Sequence, residues 1–136
     1  MRVVLDTNVL VSSLLFGGQL SFIVELLKHG EITPCFSFDT WNELERILRY
    51  PKLATPLNII NATPEDILNR LQLDAVFVIN TKSPLRLPDD PADEALIACA
   101  LTSGAKVLVT GDQYLLSFKN KAPVGIMTPK EFQLQW

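Results

Sequence analysis

One histidine, His29, and two cysteines, Cys35 and Cys99, are all the imidazole and thiol in 136 residues. A single imidazole excludes a metal centre built on several histidines, and it excludes a ribonuclease mechanism that works through a histidine pair. Two thiols, each inside an apolar run, cannot supply the framework of a disulfide-rich secreted module. Small buried thiols, kept reduced in a cytoplasm, are expected instead. No apolar run approaches the roughly 20 residues a membrane span needs. The opening Met1-Arg2-Val3-Val4-Leu5-Asp6 meets an acid too early for the apolar region of a secretory signal. Positive charge is not in excess either: 12 Lys plus Arg against 15 Asp plus Glu give a net charge of -3. That argues against a generic DNA coat held by a basic face and leaves room for an acidic centre with a local basic rim. Apolar residues, in contrast, make up 48%, enough for one domain that buries roughly two thirds of its unfolded surface.

Short β-branched runs alternate with stretches of helical period, the pattern of parallel α/β architecture. Strands are predicted over 2–6, 31–37, 75–79, 106–110 and 124–127. Helices are predicted over 9–16, from Ser21 to Gly30, over 39–50 up to Pro51, from the Thr63-Pro64-Glu65-Asp66 cap to about Leu73, and over 90–103 up to Gly104. A helical turn over 113–118 and a short C-terminal helix complete the chain, and the three prolines of 81–91 mark a loop. No repeat, low-complexity stretch or linker interrupts residues 1–136, which read as a single domain.

Acids fall where parallel sheets collect chemistry, at the carboxyl ends of strands. Asp6 directly follows Val3-Val4-Leu5, and Asp112 follows Val107-Leu108-Val109-Thr110-Gly111. Each is equally suited to capping the helix after it. Asp93 is more telling, because Leu96, Ile97 and Ala100 share its helix face. A carboxylate on a buried face must be paired, hydrogen-bonded or bound to a cation; a capping box reaching back to Asp90 would also satisfy it. Asp89 and Asp90 add negative charge to the same loop. Glu43 and Glu45 lie on opposite edges of one apolar stripe, and periodicity does not choose between them. Carboxylates without histidine or thiol suit a hard cation, Mg²⁺ or Mn²⁺, which prefers oxygen ligands. Such a centre activates water toward a phosphodiester and shields the leaving oxygen. Arg46, Arg49 and Lys52 follow Glu43 along its helix and exit, where they can meet a phosphate strand or simply form a solvated basic face.

Val3-Val4-Leu5-Asp6-Thr7-Asn8-Val9-Leu10, then Asn42-Glu43-Leu44, then Asp90-Pro91-Ala92-Asp93 and finally Val109-Thr110-Gly111-Asp112 resemble the PIN domain family in order and spacing. The likeness extends over essentially the whole chain and is nearest to the small stand-alone PIN proteins that act as VapC-like toxins of type II toxin–antitoxin pairs. It implies a Rossmann-like three-layer α/β/α sandwich with a five-stranded parallel sheet, and a Mg²⁺- or Mn²⁺-dependent endoribonuclease. On this resemblance Asp6, Glu43, Asp93 and Asp112 are the catalytic, metal-holding quartet, Asp90 is a flanking metal acid, and Thr7, Asn8 and Thr110 orient the carboxylates. It also implies a small protein antitoxin and a homodimer, for which an apolar strip on the helix from Ser21 is a candidate surface. One position departs from the pattern: Tyr114 stands where the family often carries a further Asp, which removes an acid from the outer metal site.

Other functional classes fit less well. A phosphoacceptor module needs an Asp at the end of a middle strand, and the strands ending near Ser37 and Asn80 supply none. A phosphatase with an aspartyl nucleophile needs a second acid two residues on, where Asn8 stands. The alternative that remains is a degenerate PIN module that binds RNA or protein without cleavage.

Overall fold

In the computed structural model, described for residues 1–79 and 90–135, five parallel strands form one sheet in the order β3-β2-β1-β4-β5. These are β1 (Arg2–Leu5), β2 (Thr33–Ser37), β3 (Val76–Val78), β4 (Val107–Val109) and β5 (Gly125–Met127). Central β1 pairs Val3 with Pro34 on one side and with Val107 on the other. The connecting helices are α1 (Thr7–Leu15), α2 (Ser21–Lys28), α3 (Phe38–Leu48), α4 (Ala54–Ile59), α5 (Pro64–Asp74), α6 (Pro91–Ser103), α7 (Gln113–Leu116) and α8 (Pro129–Leu134). The loop predicted over 81–91 lies outside the described residues except for Asp90 and Pro91, and Asp89 lies outside them as well.

Side chains alternate across each strand, so the sheet has two apolar faces. Val3, Leu5, Val107 and Val109 pack against Leu10, Ile23, Leu44, Leu48 and Phe132. Val4, Cys35 and Leu108 pack against Leu96, Ile97, Cys99 and Ala100 of α6. This is the three-layer α/β/α sandwich that the PIN-domain resemblance implies, built on the parallel α/β pattern of the sequence. Both cysteines are buried and free. Phe22, on the α2 strip, already meets the Phe132 ring at 6.3 Å between centroids, so part of that strip is covered within the chain. Among the described residues no single helix is long and apolar enough to cross a membrane.

Local chemistry sets the helix ends that matter for the site. Ser37 and Thr40 form a reciprocal capping box at the start of α3. Asp90 caps α6 by accepting from the Asp93 N–H at 3.1 Å, Pro91 takes the first turn, and Gly104 closes the helix at φ 70°, a left-handed conformation that glycine adopts without a Cβ clash. The sequence pattern predicts no element over 54–62, but α4 occupies Ala54–Ile59. Its cap position holds Leu53, with no side-chain hydrogen bond, and it contains Pro56, so the usual start signals are missing.

The chain lays down β1, β2 and β3 outward on one side of the sheet, then returns to the other side of β1 for β4 and β5. The strand order therefore reverses between β1 and β4, and a crevice opens at their carboxyl ends.

Candidate metal centre

Asp6 is the residue after β1, and its backbone N–H extends the ladder to Val109 O at 2.9 Å. Its side chain has two partners. Oδ1 accepts from the Asn8 N–H at 3.4 Å, which caps α1, and Oδ2 accepts from the Thr110 hydroxyl at 2.6 Å. The same Thr110 oxygen accepts from the Asp112 N–H at 3.0 Å. One buried hydroxyl thus locks the ends of β1 and β4 together. Asp112 in turn caps α7 by accepting from the Tyr114 N–H at 2.9 Å. Capping and convergence hold together for these two acids: one carboxylate oxygen serves the helix while the residue faces the crevice.

The crevice is a cleft of about 580 Å³ into which six carboxyl-bearing residues open: Asp6, Asp39, Glu43, Asp90, Asp93 and Asp112. Among the described residues no Lys, Arg or His lines it. Carboxylate oxygens of Asp90, Asp93 and Asp112 lie within 4.8 Å of one another. Asp90, a flanking acid in the sequence reading, is therefore inside the tightest group, because capping α6 aims its carboxyl at the first turn. Asp6 and Glu43 line the same cleft outside that trio. Glu43 is ion-paired with Arg46 one turn along α3.

Asp93 is 6% exposed, and its Oδ2 has no hydrogen-bond partner among the described residues. The capping-box explanation accounts only for its backbone N–H. Burial, reinforced by the neighbouring carboxyls of Asp112 and Asp90 and their charges, pushes the Asp93 carboxyl up to about 8. Asp6 is also raised, first by burial and then by the charges of Asp112 and Asp90, against the lowering effect of the Thr110 and Asn8 hydrogen bonds. Three carboxyls this close, one of them carrying a buried, unpartnered oxygen, fit a hard divalent cation, which would replace the missing hydrogen bond and neutralise the group. The residues present match that requirement without histidine or thiol.

The remaining site candidates separate by position. Thr7 is buried at the cleft wall, and Asn8 is exposed at its mouth. Glu45, which periodicity could not distinguish from Glu43, points away to Arg49 at 3.4 Å. Arg49 also reaches Glu65 on α5 at 2.7 Å, so its charge ties α3 to α5. Arg46 sits between Glu43 and the Tyr50 hydroxyl, and Lys52 lies over the Tyr50 ring. Asp39 and Thr40 line the cleft too, although the sequence reading did not single them out. The available signal was their place in the first turn after β2, level with the end of β1.

Thr110→Val keeps the shape of this side chain but removes both hydrogen bonds, leaving a buried carboxylate oxygen and the Asp112 N–H without a partner. The expected cost is about 1–3 kcal/mol of stability and about 10- to 100-fold in Mn²⁺ affinity. Thr110→Ser keeps most of both. Thermal melting and calorimetric titration check the pair, and equal Mn²⁺ affinity in all three proteins would remove the orienting role.

A parallel α/β sandwich whose strand-order reversal carries a carboxylate cluster defines the class, and the family follows from comparison. Residues 2–114 match the family model described as PIN domain, and the chain belongs to that family. Its fold is similar to that of FitAcB from Neisseria gonorrhoeae, with a TM-score of 0.60, 17% identity and coverage of 94% of this chain and 98% of that one. It is also similar to VapBC2 from Rickettsia felis, solved bound to a DNA fragment from their promoter, with a TM-score of 0.58, 15% identity and coverage of 94% and 98%. No curated protein sequence matches the chain.

Proposed function

We propose that this protein is a Mg²⁺- or Mn²⁺-dependent endoribonuclease and the toxin of a type II toxin–antitoxin pair, acting in the cytoplasm. The observation that carries the reading is the buried, unpartnered Oδ2 of Asp93, a residue whose carboxyl comes within 4.8 Å of those of Asp90 and Asp112. Asp90, Asp93 and Asp112 hold the cation, with Asp6 and Glu43 at the edge of the same cleft. When bound, the cation supplies Lewis acidity toward a phosphodiester and its attacking water. Thr110 holds Asp6 and the Asp112 backbone in one geometry, so these carboxyls do not reorganise when substrate arrives. Thr7 and Asn8 shape the wall and mouth of the cleft. Arg46 and Lys52, beside the cleft rather than in it, meet the substrate's phosphates and offset the acidity that would otherwise repel RNA. Membership in the PIN family and the fold likeness to a VapBC2 complex support a protein antitoxin as partner, and a homodimer is proposed with it.

The test is cleavage of a mixed, end-labelled RNA pool by the purified chain with Mn²⁺ or Mg²⁺, beside an EDTA control and the Asp6→Asn protein. Cuts that need the metal and disappear in Asp6→Asn uphold the reading. No cut with either metal turns it to a PIN module that binds without cleaving.

A further inference from the structure

Beside the acidic cleft lies a second recess of about 300 Å³, lined by Phe16, Tyr50, Lys52, Val11, Asn8 and Ile47 among others. Asn8 and Ile47 also line the acidic cleft, so the two spaces adjoin. Its two rings come from distant places: Phe16 ends α1, and Tyr50 follows α3 just before Pro51. Phe16 is 61% exposed. Tyr50 is held in place, because Arg46 Nη1 donates to its hydroxyl at 2.6 Å while the same guanidinium pairs with Glu43 of the cleft. The Arg46 guanidinium carbon and Lys52 Nζ stand 5.7 and 5.8 Å from the ring centroid.

From these contacts the geometry points to a nucleobase subsite: an unpaired base of a single-stranded RNA, next to the phosphate at the acidic cleft, lies against Tyr50 and Phe16 while Lys52 takes a neighbouring phosphate. The inference rests on the ribonuclease reading and adds to it the place where a base next to the cleft is held, the recess of Phe16, Tyr50 and Lys52. Charge complementarity selects the occupant. A ligand spanning both spaces must carry negative charge for a cation at Asp90, Asp93 and Asp112, negative charge again for Lys52, and a flat π-face between them. A nucleotide strand has that repeat, and base-on-aromatic stacking beside cations is the general means of holding single strands. In a duplex the base edges are paired and the faces stacked, so neither is offered to Tyr50.

The experiment uses a short single-stranded RNA that the full chain cuts, or any strand of the mixed pool if none is cut. It is prepared with 2-aminopurine, and separately with an abasic ribose, at each position in turn. Wild type, Phe16→Ala, Tyr50→Ala, Tyr50→Phe and Lys52→Ala are compared, with thermal melting to show that each is folded. At one position 2-aminopurine fluorescence is expected to quench on binding, and Tyr50→Ala is expected to abolish the quench while Tyr50→Phe keeps it. Cleavage by Tyr50→Ala falls about 10- to 100-fold in kcat/KM, mainly through KM, the range of one lost stacking contact. The abasic substrate loses the same factor with wild type and nothing further with Tyr50→Ala. Lys52→Ala weakens binding at every position and flattens its salt dependence. If wild type cuts RNA while no position quenches and the Phe16 and Tyr50 variants cut equally well, the subsite is overturned, the nuclease stands, and the recess is left to a protein side chain. Tyr50-dependent quenching without any cut upholds the subsite and overturns the nuclease. Neither quenching nor cutting overturns both.

Discussion

Asp93→Asn is expected to lower metal-dependent RNA cleavage by more than about 100-fold, the upper end of what losing an outer partner of a metal ligand costs, and to raise the melting temperature of the metal-free protein. The two effects have one cause. Asp93 Oδ2 is buried without a hydrogen-bond partner among the described residues, beside the like-charged Asp90 and Asp112. In the absence of a cation it is a cost to the fold, because a buried acceptor without a partner is worth about 1–3 kcal/mol of lost stability. At pH 8 and above, where the Asp93 carboxyl ionises, a carboxamide removes that charge, and at every pH it presents two N–H donors to its acidic neighbours. The metal-free variant is therefore expected to melt roughly 3–10 °C higher, since 1 kcal/mol corresponds to a few degrees in a domain of this size. Melting in EDTA and cleavage of the same RNA pool in Mn²⁺ measure both halves. An Asn variant that melts below wild type in EDTA would show that the carboxylate is satisfied by the fold, and the main argument for a cation would go with it.

In EDTA the protein is expected to lose stability as pH rises from about 5 to 8, and added Mg²⁺ or Mn²⁺ to restore more of it at pH 8 than at pH 6. Asp93 stays protonated in the folded chain up to about 8, against an unperturbed 3.8. The raised carboxyl of Asp6 acts in the same sense. Across that window the folded state holds more protons than the unfolded one, so stability is full below the unfolded value and declines as pH rises through the folded one. Glu131, held near 2 by the Lys119 ammonium and the Thr128 backbone, works in the opposite direction, but its contribution fades only as pH falls below about 4.5. A divalent cation competes with the protons and is favoured once they leave. At 100 times its Kd it adds about 2.7 kcal/mol, roughly 10 °C here. Melting curves at pH 5, 6, 7 and 8, with EDTA and with metal, decide the matter. Flat stability in EDTA across this range would contradict the buried, raised carboxyl.

The parts of the site legible in the sequence were those with a local signature. Asp6 and Asp112 each follow a short apolar strand and precede a helix, and a parallel sheet sends such positions to one edge. Asp93 was legible because a carboxylate shared a helix face with Leu96, Ile97 and Ala100, all buried in the structure. Glu43 and Glu45 show where local pattern stops. Both sit at the edge of one stripe, and only the rotation of α3 against its neighbours turns Glu43 to the cleft while Glu45 meets Arg49. Asp39 and Thr40 had no such stripe to mark them and came into the cleft because β2 ends level with β1. Helix α4 escaped for a plainer reason, since it starts without a capping side chain and carries a proline.

By itself the sequence determined the order of the strands and of the helices other than α4, the caps at Asp6, Thr63, Asp90 and Asp112, and the presence of acids at strand ends. These depend on periodicities of two and 3.6 residues and on hydrogen bonds spanning two or three residues, which any short window contains. Tertiary structure alone decided that Thr110 bonds Asp6 across 104 positions, that Asp90 joins Asp93 and Asp112 within 4.8 Å, and that Phe16 and Tyr50 share one recess beside them. Those relations exist only once parallel strands are in register and helices are rotated to bury their apolar stripes, because the packing of the whole core, rather than any local preference, sets where a side chain at the rim must point.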